Sequence, residues 1–185
     1  MARAKGGFLT MGTKRIGLAR IEALMENLKR EINFGAGTKL VGHRIPVESV
    51  TADDTLTAAE SGTTYLFTDA AATLTLPDSG AGDLIGVTYT FVSIFTATAQ
   101  KVICTDTTNE ILIGALVATD TDLDTTVRAW NAEVADAYDF VLFSGVETGA
   151  IGSTFTVTNY AADRWLVSGV VIQESGAEAI PFGTT

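Results

Sequence analysis

Apolar residues recur every three or four positions between residues 13 and 34. This spacing places them on one side of a helix of about five turns, for which Thr13 is the expected N-cap and Gly35 the expected end. The apolar stripe consists of Leu18, Ile21, Met25, Leu28 and Ile32. A single helix of this kind is marginal in water. The stripe therefore predicts docking on the chain's own β domain, on sister helices at an oligomer axis, or on another protein.

Residues 46–185 follow a different pattern, in which threonine alternates with apolar residues. Of the 28 threonines, 25 fall in this range, and such alternation is typical of half-buried strands. Candidate strands span residues 47–51, 63–68, 73–76, 85–95, 99–105, 110–118, 124–129, 138–144, 153–158, 164–173 and 178–182. Short strands separated by turn residues predict a mainly β fold, an antiparallel β-sandwich or jelly-roll-like domain.

The length of 185 residues suits one domain with an appendage. We predict an N-terminal extended arm with one amphipathic helix and a glycine-rich hinge in residues 1–45, followed by a β-sandwich domain in residues 46–185. Residues 140–143 and 170–172 are continuous apolar runs, so we expect the opposing sheet to cover one face and the helix or a second subunit to cover the other. This pattern favours a homo-oligomer, for which a trimer is preferred and a dimer is the alternative.

The charge is divided unevenly between these two segments. Residues 1–45 carry nine lysines or arginines against three acids, and residues 46–185 carry three against nineteen, giving +6 and −16. The basic residues of the arm include Lys5, Lys14, Arg15, Arg20, Lys29, Arg30, Lys39 and Arg44. The arm has few aromatic residues between its charges, so an acidic protein surface, such as the body of a neighbouring copy, is favoured over nucleic acid as its partner.

The sequence contains few residues suited to catalysis. His43 is the single histidine and lies next to Gly42 in the linker, and neither G-x-S-x-G nor H-E-x-x-H occurs. The segment after the helix lacks the spacing of a phosphate-binding loop. The single cysteine, Cys104, lies in an apolar stretch and is expected to be buried and unreactive. We therefore expect no enzymatic activity, no catalytic residue and no cofactor.

Two acidic clusters leave alternatives open. Asp120, Asp122 and Asp124 alternate like the first ligands of a calcium loop, but the glycine and distal glutamate of that loop are missing, so a solvated loop is favoured. No metal site is assigned, although calcium binding at these residues remains an open alternative. Residues 133–139 contain three further acids, whose pairing for glycoside hydrolysis cannot be read from the sequence.

The chain has no apolar run of about 20 residues, and its first residues lack the apolar core of a secretory signal. We expect a soluble protein that is made in the host cytoplasm and does not bind a membrane.

Two stretches, the first made of three segments, resemble the small β modules on the surface of tailed-phage particles. They are Leu56–Phe67, Thr73–Pro77, Tyr89–Val92 and Asp163–Gly169. The resemblance lies in a first strand, a strand that ends at proline and a last strand that bears a tryptophan. Trp165 is expected to be a core anchor, since it occupies an alternating strand.

This resemblance implies a bacteriophage structural protein rather than an enzyme. The function that it implies first is that of a capsid decoration, or cement, protein on the outer surface of the virion. Such a protein binds the major capsid protein or another virion protein, usually as a homo-oligomer, and here the basic arm would be the anchor. The alternative is a tail or fibre adhesin module that binds a host surface glycan through exposed aromatic residues, for which Trp130 and Tyr160 are the candidates.

Overall fold

The computed structural model describes residues 44–120, 127–174 and 178–185. The predicted arm, helix and hinge lie outside these ranges, apart from residues 44 and 45. The described part is mainly β, as the threonine alternation predicts, with one short 3-10 turn at Ala58–Glu60. Its strands are β1 Val47–Val50, β2 Asp54–Thr55, β3 Thr64–Phe67, β4 Thr73–Thr75, β5 Thr88–Ser93, β6 Gln100–Ile103, β7 Ile111–Asp120, β8 Val127–Ala132, β9 Phe140–Phe143, β10 Thr154–Ala161, β11 Arg164–Gln173 and β12 Phe182–Gly183.

The strands form two sheets. The larger sheet has seven strands in the order β1-β3-β5-β10-β11-β7-β8, and the smaller has five in the order β12-β9-β6-β4-β2. The first six strands alternate between the sheets, so that β1, β3 and β5 are neighbours in one while β2, β4 and β6 are neighbours in the other. From β1 to β6 the chain thus passes three times across both sheets.

Because the chain returns to each sheet in the same direction, these neighbours pair in parallel. The long strands β7 and β11 are also parallel, whereas β10 pairs antiparallel with both β5 and β11. Both sheets are therefore mixed, and the prediction of an antiparallel sandwich was wrong on strand direction. The jelly-roll connectivity is not confirmed, since a jelly roll needs antiparallel neighbours.

Both sheets contribute to one hydrophobic core. Phe143 of the smaller sheet meets Phe155 of the larger sheet edge to face, with ring centroids 5.5 Å apart. Trp165 is fully buried in this core, and its ring lies 6.3 Å from that of Tyr89. Cys104 is also buried, as its apolar surroundings predict, and burial raises the pKa of its thiol. The core thus joins the two sheets around large aromatic side chains.

Tyr89 makes the stability of the β domain depend on pH in alkaline solution. Its hydroxyl donates a hydrogen bond of 2.7 Å to the Thr57 carbonyl, and burial, with a smaller contribution from Glu60, raises its pKa to about 12. The unfolded value is about 10. The neutral phenol therefore stabilises the folded state below pH ~10, and this contribution is lost as the pH rises towards 12.

We expect unfolding to begin between these pH values, followed by circular dichroism and by phenolate absorbance. The Tyr89→Phe variant should be less stable than the parent at neutral pH, by about 1 kcal/mol for the missing hydrogen bond. Between pH 10 and 12, however, its stability should fall by less than that of the parent. An unchanged alkaline profile in this variant would show that Tyr89 does not set the limit.

Candidate interaction surface

The larger sheet has one face in the core and one face outside it. Along β10, Phe155 and Val157 are buried, whereas Thr154, Thr156 and Thr158 alternate with them and are half-buried. The same alternation holds in β5. Because successive side chains of a strand point to opposite sides, the threonines lie on the face away from the core. The alternation of residues along the strands therefore places threonines on the face of the sheet that points away from the core.

Strand register arranges these side chains in rows across the sheet. We call this surface the outer face and define it on β3, β5, β10, β11 and β7. It consists of Thr64, Leu66, Thr88, Thr90, Val92, Thr154, Thr156, Thr158, Leu166, Ser168, Val170, Ile113, Ala115 and Val117.

Threonines occupy the side of the outer face formed by β5 and β10. The Oγ1 atoms of Thr88 and Thr158 are 2.8 Å apart, and those of Thr90 and Thr156 are 3.2 Å apart. Such cross-strand pairs fix the side chains in one arrangement, and the β-branched threonines have few rotamers to lose. This half of the surface is therefore polar but already ordered.

The half formed by β11 and β7 is apolar. Val170 lies beside Val117 in the register, and Leu166 lies beside Ile113. Leu166, Val170 and Val117 are 45%, 41% and 39% exposed, so a considerable part of each remains accessible to a partner. Aliphatic side chains that are this exposed and this close together are typical of a contact surface rather than of scattered surface residues.

The outer face has no charged residue, although residues 46–185 carry nineteen acids and three bases. The corresponding face of the smaller sheet differs, because Lys101 there lies 5.0 Å from the centre of the Phe140 ring. Depletion of charge distinguishes the centre of protein interfaces from the remaining surface. The outer face is thus suited to an uncharged protein surface and not to an ionic ligand.

The residue pattern along the chain does not identify the outer face by itself. Its alternating threonines were visible in the sequence, but the pattern within each strand does not show that these strands are neighbours. The candidate site residues of the arm lie outside the described residues, except Arg44, which is exposed. The residues outside are Lys5, Lys14, Arg15, Arg20, Lys29, Arg30 and Lys39, together with the stripe Leu18, Ile21, Met25, Leu28 and Ile32. His43 lies outside them as well.

Glu110 is a buried carboxylate that the sequence analysis overlooked. One of its oxygens accepts hydrogen bonds from the Ser79 N–H at 2.7 Å, the Ser79 hydroxyl at 2.5 Å and the Trp165 indole N–H at 3.4 Å. The other accepts the Asp106 N–H at 2.9 Å. All of these partners are donors, as an acceptor-only carboxylate requires. Glu110 therefore joins two loops to the core tryptophan, which is a structural role.

The other acidic candidates are dispersed. Asp136 accepts the Glu133 N–H at 2.9 Å and so closes its own turn, whereas Asp139 is buried and accepts the Thr185 N–H at 3.0 Å. Asp120 ends β7, and Asp122 and Asp124 lie outside the described residues. Among residues 44–120, 127–174 and 178–185, no three metal-ligating side chains are grouped so as to hold a metal ion.

The two aromatic candidates for glycan binding differ in exposure. Tyr160, near the end of β10, is 45% exposed. Trp130 is partly buried against the core, and its indole N–H donates to the Gln173 side-chain oxygen at 3.1 Å. Tyr160 is therefore the more accessible of the two residues, whereas the indole N–H of Trp130 already has a hydrogen-bond partner.

No helix in the described part of the chain has the length and apolar character needed to span a membrane. Comparison of the sequence with protein-family models and with curated proteins, and of the fold with solved structures, finds no match.

Proposed function

We propose that the chain is a non-enzymatic structural protein of a virus particle, a capsid decoration protein that binds the assembled shell on its outer surface and stabilises it. The observation that carries this proposal is the uncharged outer face of the larger sheet. A chain with a net charge of −10 has no charged residue among the residues that define the outer face, and Arg164, the first residue of β11, lies at its margin. The virion assignment adds to this the resemblance of residues 55–173 to phage surface modules.

The mechanism is mass action. A subunit that binds only the assembled lattice shifts the equilibrium towards that lattice, by an amount that grows with its concentration relative to its Kd. In this proposal the basic arm anchors the subunit on an acidic surface, and the outer face provides the uncharged contact, with the shell or with a second copy in a homo-oligomer. The remaining acidic surface faces solvent and keeps free subunits apart.

A double variant tests the outer face. We expect Val117→Glu combined with Val170→Glu to weaken binding to shells about 100-fold, or about 2.8 kcal/mol, because two carboxylates must be desolvated in an apolar contact. The matched control is Val134→Glu combined with Val146→Glu, at valines that are 60% and 36% exposed elsewhere on the body. The measurement is co-sedimentation with phage particles that lack the protein, after thermal melts show that both variants fold.

Light scattering on the same variants distinguishes contact of the outer face with the shell from contact with a second copy. A lower native mass for the outer-face variant would place a second copy on the face, whereas an unchanged mass with lost shell binding would place the shell there. Equal shell binding by both double variants would overturn the role of the face. Absence of the chain from purified particles, or binding to a host glycan without binding to shells, would overturn the decoration role and favour the adhesin.

A further inference from the structure

A small pocket lies at the edge of the body, between the edge strand β1 and the start of β2. Its volume is about 140 Å³, well below the roughly 300 Å³ at which pockets begin to hold drug-sized ligands. Its walls are Glu48, Ser49, Val50, Thr51, Ala52, Asp53, Asp54, Tyr65 and Leu74. The size therefore suits one side chain or a similarly small group.

Tyr65 forms part of the pocket wall and carries a buried hydroxyl. Tyr65 is 2% exposed, and within the described part of the chain its hydroxyl makes no hydrogen bond. The neighbouring Tyr89 differs, because its hydroxyl donates to the Thr57 carbonyl. Buried polar groups nearly always have a partner, since leaving one unpaired is costly. An unpaired phenol in a pocket wall therefore indicates a ligand that supplies the missing hydrogen bond.

The charge around this hydroxyl is negative. Glu48, Asp53 and Asp54 line the pocket. Asp53 and Asp54 each use one oxygen to accept a backbone N–H, at 2.7 and 2.8 Å, and these bonds hold the carboxylates in place. Burial raises the pKa of Tyr65, and the charges of Glu60, Glu48 and Asp54 raise it further.

We infer that this pocket binds the side chain of one lysine or arginine from a protein partner. An ammonium or guanidinium group has only donors, and these match the phenolic oxygen and the carboxylates. The apolar stem of such a side chain can lie along Val50 and Leu74. The inference depends neither on the outer face nor on the virion assignment.

Two sources can supply this side chain. One is the basic segment of a second copy, since residues 1–45 carry nine lysines or arginines. The other is a basic segment of a different protein. The chemistry that the pocket recognises is the same for both, so the source is a separate question from the existence of the site.

The test uses the full-length chain with all nine lysines and arginines of residues 1–45 changed to glutamine, which are Arg3, Lys5, Lys14, Arg15, Arg20, Lys29, Arg30, Lys39 and Arg44. In this chain the arm cannot compete for the pocket. The probes are n-butylammonium and n-butylguanidinium, with n-pentanol as the neutral control of similar size, and amide NMR signals of residues 48–54 report binding. We expect saturable shifts at millimolar concentrations for the cations and none for the alcohol.

Variants in the same background separate binding from packing. Tyr65→Phe should weaken cation binding at least fivefold without lowering the Tm, because it removes a hydroxyl that the free protein leaves unpaired. Glu48→Gln combined with Asp54→Asn should abolish binding. The controls are Tyr138→Phe, a half-buried tyrosine stacked on Phe182, and Glu133→Gln combined with Asp83→Asn, two exposed acids elsewhere.

The inference is overturned if the cations cause no saturable shift, if pentanol binds equally well, or if Tyr65→Phe binds as tightly as the parent. It is also overturned if Ca²⁺ shifts these signals at lower concentration than either organic cation, since the site would then be a metal site. If the unmodified chain binds the probes more weakly than the arm variant, and the difference grows with protein concentration, a second copy supplies the side chain. Equal affinity in the two chains assigns the site to a different protein.

Discussion

Replacing Glu110 with alanine is expected to lower the free energy of unfolding by about 3–5 kcal/mol, because each buried donor left without an acceptor costs about 1–3 kcal/mol. Glu110 is fully buried and accepts hydrogen bonds from Ser79, Asp106 and Trp165. Alanine would leave these donors without an acceptor and would open a cavity beside the indole. The measurement is urea unfolding followed by tryptophan fluorescence.

Two further variants make this result specific. Glu110→Gln keeps the volume but replaces one acceptor oxygen by an amide donor, so we expect a loss between that of the alanine variant and zero. Glu133→Gln changes an exposed glutamate and should alter stability by no more than about 0.5 kcal/mol. A loss below about 1 kcal/mol for Glu110→Ala would show that the four hydrogen bonds contribute little to folding.

Most strands of the body were predictable because their residues alternate. The segments predicted at 63–68, 73–76 and 164–173 correspond closely to β3, β4 and β11. The two-residue strand β2 was not predicted, since two positions carry no period. In β7, Gly114 and Ala115 interrupt the apolar run without interrupting the strand, because pairing with β11 on one side and β8 on the other holds the backbone in place.

Strand neighbours were much less predictable than the strands themselves. An alternating pattern shows which side chains face the core, but it carries no information about which strand lies alongside. Arg164 pairs in register with Ile111, 53 positions earlier in the chain, and this pairing is parallel. The outer face and the Tyr65 pocket both depend on such non-local neighbours. Neither could therefore be located from one sequence, although the threonine alternation and the charge imbalance were visible.

The two proposed contacts differ in chemistry and in position in the fold. The outer face offers a broad uncharged area, from which water can be excluded at little electrostatic cost. The pocket offers a small negative site at the β1 edge, which can select a single basic side chain. A protein that uses both contacts would bury a large area at the outer face, and the pocket would fix the orientation of the partner. This division is usual in interfaces with an apolar centre and a polar rim.

Gly114→Ala is expected to lower the free energy of unfolding by more than about 4 kcal/mol, which is exceptional for a single methyl group. Gly114 lies within β7 at a φ of 136°, a conformation that favours glycine. A Cβ atom there would overlap the carbonyl oxygen of Val167, its partner on β11. Since that oxygen belongs to the backbone of a central strand, the clash can be relieved only by separating β7 from β11.

Gly62→Ala is the matched control for Gly114→Ala. Gly62 also has a positive φ, of 88°, but a Cβ atom there would meet nothing within 4 Å. Its substitution should therefore cost only the backbone term, about 1–2 kcal/mol. The clash at Gly114 exists only if β7 and β11 pair in parallel and in this register, so the difference between the two variants in urea unfolding tests that pairing. Equal losses would mean that β7 and β11 are arranged differently, and the apolar half of the outer face would then be lost as a continuous surface.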